Sequence, residues 1–195
     1  MDRTRRISAA EARNDLVPST MNPPPSPIAL RAILILIPVL LCLAGCAGPP
    51  PYVYHYIPGR TAILRDGIAI APPAAPEAVQ VAVAAGNRIA GLPYVYGAGH
   101  TDAEFDTAYD CSGAVSFVLR AAGLVDSPMP SRAYRRYGAD GPGDWITLYA
   151  RRDHVFIVIA GLRFDTGWNG GEHGPRWTTR SRPTTDAVER HPYGL

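Results

Sequence analysis

The chain predicts an α+β fold, helices first and an antiparallel sheet afterwards. Two stretches, 76–90 and 111–122, carry apolar residues at helical spacing, with start signals before them and glycines after. From Asp144 onward the period changes to short apolar runs separated by turn residues, as strands require. No internal repeat interrupts this order. At 195 residues there is room for about one domain with appendages. The net charge of +2, carried on a basic set that is all arginine, supplies no field for nucleic acid, which is excluded as a partner.

Residues 1–20 are polar and hold Arg3, Arg5, Arg6 and Arg13. A proline patch, Arg31 and the apolar run Ala32 to Leu43 follow. That run has the length of a secretory h-region and is too short to span a bilayer as a mature helix. It ends in Leu43-Ala44-Gly45-Cys46, which resembles the lipobox of bacterial lipoproteins. The resemblance implies a signal peptide over 1–45, cleavage before Cys46, and a lipid on Cys46 that anchors the chain to a membrane. A plain signal peptide with an incidental Cys is the alternative. Met21 is an alternative start, because the n-region counted from Met1 is long. Ala47 fits sorting to an outer membrane, facing the periplasm, in a cell with two membranes.

Of three cysteines, Cys42 leaves with the signal, Cys46 takes the lipid and Cys111 alone remains. A lone thiol in an oxidising envelope compartment forms no disulfide within its chain, and reactivity is a reason to have one.

Residues 46–75, rich in Pro and Tyr, read as an extended tether, with a small hairpin where Thr61 to Leu64 and Ile68 to Ile70 flank Arg65-Asp66-Gly67. The folded domain is expected over 76–195. Pro76 and Glu77 open a helix with the stripe Val79, Ala82, Val83, Gly86, Ile89 and Ala90, and Gly91 ends it. Leu92 to His100 is an extended, Gly-rich approach to the next helix. There Asp110 sits at the N-cap, Cys111 opens the helix, Val115, Val118, Leu119 and Ala122 form its buried face, and Gly123 stops it. Ser127 to Gly143 reads as loop; its Arg132, Arg135 and Arg136 suit a solvated face or an anionic wall polymer. Strands are expected at Trp145 to Tyr149, Val155 to Ala160 (covered on both faces), Arg163 to Thr166, and near Ala187 to Arg190. A Gly-rich loop, Gly167 to Gly174, intervenes.

Cys111 at a helix start meets unpaired N–H groups and the positive end of the helix dipole, which favour a thiolate. A small buried core Cys is the alternative. His154 opens the central strand, where an imidazole can face a helix start and act as base.

Pro93-Tyr94-Val95-Tyr96-Gly97, Asp110-Cys111-Ser112-Gly113, Gly143-Asp144 and His154-Val155, in that order, resemble the NlpC-type cell-wall endopeptidases, papain-like cysteine peptidases that cut the peptide stems of peptidoglycan. The likeness spans about residues 76–166. It implies a papain-like fold and a peptidoglycan endopeptidase acting through a thioester, with stem peptides as partners and no cofactor or metal. By position, Cys111 is the nucleophile, His154 the base, Tyr94 part of the oxyanion site, and Asp110 and Ser112 contacts for the free amine of the stem. The family's third residue is His, Asn or Gln. Here Asp165 is chosen, accepting the Nδ1–H of His154, with Thr166, His100 and His173 as alternatives. The family's use of Asn implies that Asp165→Asn retains part of the orientation. Phe156 stands where the family has glycine, and the Gly97 to His100 loop is long enough to bring His100 to the cleft. Acyl transfer or amidase chemistry with the same Cys–His pair, or an inactive wall-binding lipoprotein, are the competing expectations.

Overall fold

Residues 49–101 and 103–195 are described by the computed structural model. The expected signal peptide and Cys46 lie outside the described residues. Strands β1 (Ile63–Arg65) and β2 (Ile68–Ile70) form the expected hairpin. Its two turn residues, Asp66 (φ 50°) and Gly67 (φ 82°), are both left-handed, the geometry whose twist matches a two-residue hairpin. The hairpin is tied to helix α1 (Glu77–Ile89) by Asn87, which donates to Ala69 O and accepts from Ala69 N–H, both at 2.9 Å.

The stretch expected to be a tether is packed where it is described. Tyr52, Ala62, Ala69 and Ala75 are buried, and the backbone of Tyr52 pairs with that of Arg182 in both directions. A run rich in Pro and Tyr mimics a solvated linker in composition, but here Tyr52 and Tyr54 supply apolar cover to a sheet. The expected domain start at residue 76 therefore falls inside the compact unit to which all described residues belong.

On α1 the buried stripe is Val79, Ala82, Val83, Ala85, Gly86 and Ile89. Gly86 sits mid-helix for a packing reason: a Cβ there would lie 2.5 Å from Cζ2 of Trp177. Helix α2 (Cys111–Ala121) follows, then the short α3 (Ser131–Tyr134). The remaining strands are β3 (Ala139–Asp140), β4 (Ile146–Ala150), β5 (Val155–Ile159), β6 (Leu162–Thr166), β7 (Pro175–Thr178) and β8 (Val188–His191). They make one six-stranded sheet in the order β3-β8-β4-β5-β6-β7, antiparallel at every pairing. After the hairpin, helices come first and the antiparallel sheet afterwards, the α+β order the sequence predicts.

Two short elements, α3 and β3, lie in the stretch expected to be loop, and β7 follows the Gly-rich loop, where the sequence assigns no strand. β7 opens on Pro175 at the sheet edge, a position where a missing N–H is tolerated but where no periodic signal accumulates.

Helices α1 and α2 pack on each other and on one face of the sheet over β5, β6 and β7. Val155, Ile157 and Ile159 of β5 point into that main core. Phe156 and Val158 point the other way, into a smaller cluster with Tyr52. All five β5 residues are thus buried, which is why the run is apolar throughout. No helix among the described residues is long and apolar enough to cross a membrane.

Candidate functional site

The start of α2 is fixed by Asp110. Its Oδ1 accepts from the Gly113 N–H at 2.7 Å, satisfying one of the first-turn donors. Gly113 is required by the approach of the preceding loop: a Cβ there would sit 2.2 Å from Ala98 O. The helix therefore begins pressed against Ala98 and Gly99, and this contact places Cys111 at its first position.

Cys111 is free and 6% exposed. Sγ lies 3.5 Å from Ser131 Oγ, at the start of α3. Burial pushes the thiol pKa up, but hydrogen bonding and charge from His154, then the Ser131 hydroxyl and the Val155 N–H, bring it below its ordinary value. For His154 burial pulls down, while the bond to Asp165 and the interaction with Cys111 more than offset it, leaving the imidazole raised. Both shifts, the thiol lowered and the imidazole raised, run in the direction that favours a thiolate–imidazolium pair.

Asp165 on β6 is the residue bonded to the far side of the ring. Its Oδ1 accepts from His154 Nε2 at 2.9 Å. The expected Nδ1 contact is corrected: the tip of the ring reaches across to β6, which leaves Nδ1, the nitrogen nearer the backbone, for the helix side. Among the alternatives, Thr166 is buried with its hydroxyl unpartnered, and His173 is exposed in the loop after β6. His100 does come to the start of α2, but onto Asp110. Its Nε2 lies 3.0 Å from Asp110 Oδ1 and 3.2 Å from Ser112 Oγ.

Asp110 is consequently engaged on both oxygens. Besides Gly113 and His100, Oδ1 accepts from Ser112 Oγ at 3.1 Å, and Oδ2 accepts from the Gly97 N–H at 3.0 Å. Tyr94 is 39% exposed, and its phenol is raised by burial first and then by the charges of Cys111 and Asp110. In the arginine cluster, Arg132 and Arg136 are exposed, whereas Arg135 donates to the carbonyls of Ala150 and Asp186 and braces the sheet.

Three groups at this centre are not among the residues expected from sequence. Ser131 belongs to a helix too short to show a period. Arg163 and Arg182 each donate to Asp165 Oδ2 at 2.7 Å. For Arg163 a signal exists: strand alternation puts it on the same face as Asp165. Phe156, the departure from glycine, lies under both guanidinium groups, 5.9 Å from Arg163 and 5.0 Å from Arg182.

A scan of protein-family models gives no match to this chain, and neither does a comparison with curated proteins.

Proposed function

We propose that this protein is a lipid-anchored cysteine peptidase with a papain-like NlpC fold, hydrolysing amide bonds in the peptide stems of peptidoglycan at the cell envelope. One observation carries the reading: a lone thiol at the first turn of a helix has its pKa lowered by an imidazole whose second nitrogen is held by a buried carboxylate. Wall binding alone calls for none of this, which disfavours an inactive protein of the same shape.

In this reading the Cys111 thiolate attacks the carbonyl carbon of the scissile amide. The oxyanion accepts from the Cys111 backbone N–H, one of the first-turn donors a helix leaves free, and from the Tyr94 hydroxyl. Protonated His154 gives its proton to the leaving nitrogen, the C–N bond breaks, and a thioester remains. His154 then takes a proton from water, whose oxygen attacks the thioester, releasing a carboxylic acid that ionises in solvent and restoring the pair. A stem-peptide amine approaching Asp110 Oδ1 and Ser112 Oγ meets His100, whose Nε2 already occupies both.

Digestion of purified muropeptides with mass analysis tests the proposal. Wild type should yield products summing to substrate plus one water, and Cys111→Ser should yield none while melting as wild type does. A folded wild type that cuts no stem peptide, or a Cys111→Ser variant that cuts at the wild-type rate, would refute it. The anchor is tested separately: labelled palmitate should enter the wild type and be lost in Cys46→Ala.

A further inference from the structure

On the sheet face away from the helices, the apolar cluster of Tyr52, Phe156 and Val158 surrounds three charged side chains. Arg163 is 0% exposed, Asp165 2% and Arg182 7%. Two positive charges are thus buried against one carboxylate, an arrangement that burial energetics alone disfavours, since apolar residues of similar volume would be as stable or more so. The trio is nevertheless held at many points. Arg163 Nη2 donates to Trp168 O at 3.0 Å, and Asn169 Nδ2 donates to the Asp165 carbonyl at 2.8 Å. Tyr52 fixes both arginines by their backbones: its hydroxyl accepts from the Arg163 N–H at 3.2 Å, and its own backbone pairs with that of Arg182. The carboxylate oxygen that the guanidinium groups leave free is Oδ1, the one bonded to His154.

We propose that Arg163 and Arg182 are positioning residues of the Cys111–His154 centre: Arg163 fixes the aim of Asp165, and Arg182 offsets its charge so that the imidazolium can still release its proton. The inference rests on the reading that Cys111 and His154 perform the chemistry. An uncompensated carboxylate against an imidazolium in a buried setting holds the proton too firmly for a base that must give it to a leaving amine. The second arginine returns that carboxylate toward the weaker field of a neutral third residue. Arg182 is suited to this role because its own charge is felt at Cys111 as well as at Asp165. The groups that face the imidazole or the clamp are Asp165, Arg163, Arg180 and Arg182 from the sheet side, Cys111 from α2, Tyr52 from the N-terminal segment and Arg151 from the turn before His154.

The test follows the His154 titration by imidazole NMR in the full chain, a readout that needs no substrate. In Arg182→Met the carboxylate is still held by Arg163, so the midpoint should rise by about half a pH unit or more, within the range for a nearby charge. The alkaline limb of kcat/KM should move upward with it. Arg182→Lys, which restores charge without the planar fork, should return the midpoint to the wild-type value. Arg163→Lys should lower kcat with KM unchanged, and it keeps the aiming role testable because the charge stays paired. A midpoint that is unchanged or lower in folded Arg182→Met would overturn the offset, and unaltered kcat in Arg163→Lys would overturn the aim. If the midpoint moves as stated but wild type cuts no stem peptide, the clamp stands and the functional reading falls. If wild type cuts stem peptide and the arginine variants do not respond, the functional reading stands and the clamp falls.

Discussion

Asp165→Asn separates this centre from a neutral-triad arrangement. An Asn side chain has one acceptor oxygen and one donor amide, whereas Asp165 accepts from His154 at 2.9 Å on one oxygen and from two guanidinium groups at 2.7 Å on the other. With the amide nitrogen toward the arginines, a donor faces two charged donors. With it turned the other way, the arginines keep an acceptor but His154 Nε2 meets a donor. The ring then accepts there and carries its proton on Nδ1, so no base faces the sulfur. That wrong tautomer lowers kcat by about 10⁴ in a serine triad, and a comparable loss is expected here. Either orientation also leaves buried positive charge uncompensated, for which removal of one partner costs about 3–5 kcal/mol. Cleavage rates and urea unfolding of wild type, Asp165→Asn and Asp165→Ala decide the matter. Asp165→Asn should be as inactive as Asp165→Ala and clearly less stable than wild type. An Asn variant within about threefold of wild type, far above the general-base range, with unchanged unfolding would refute the reasoning and restore the tolerance implied by the resemblance.

Other outcomes follow from the same contacts. His154→Ala leaves burial to push the Cys111 thiol up, so iodoacetamide alkylation near neutral pH should fall, and its onset should move toward the ordinary thiol range of about 8.5 or above. Because the His154 value is raised on folding, its stabilising contribution is fully present below the unfolded value of about 6.5 and is lost as pH rises through the folded one. Urea unfolding of wild type against His154→Gln should therefore show its widest gap at the acid end and a closing gap toward alkaline pH. Gly86→Ala, which raises helix propensity by about 1 kcal/mol at an ordinary site, should destabilise instead, by about 1–3 kcal/mol through overpacking on Trp177. Tyr52→Phe removes a hydroxyl that donates to Gly161 O and accepts from the Arg163 N–H, and should cost about 1–3 kcal/mol in urea unfolding.

The sequence by itself determined the elements with strong local patterns. Asp110, Cys111 and Gly123 delimit α2 because caps and stops are local chemistry, and β5 is legible because a strand buried on both faces must be apolar at every position. The order of helices and strands, and hence the α+β class, follows from those periods. The choice of Asp165 as the partner of His154 rests on the resemblance, which implies a polar third residue on the next strand; in the structure Asp165 Oδ1 lies 2.9 Å from His154 Nε2.

Only tertiary structure decided the rest. Tyr52 is buried by pairing with Arg182, a contact between distant parts of the chain that no local period records. Arg182 reaches Asp165 because the segment before β8 is brought against β6, and a buried arginine looks like a surface one in sequence. His100 stands on Asp110 through the fold of a glycine loop, and Ser131 reaches the thiol from a helix of four residues. Local patterning reports which face of an element is buried. Which charged groups then share that burial depends on strand neighbours and loop paths, and those are settled by packing.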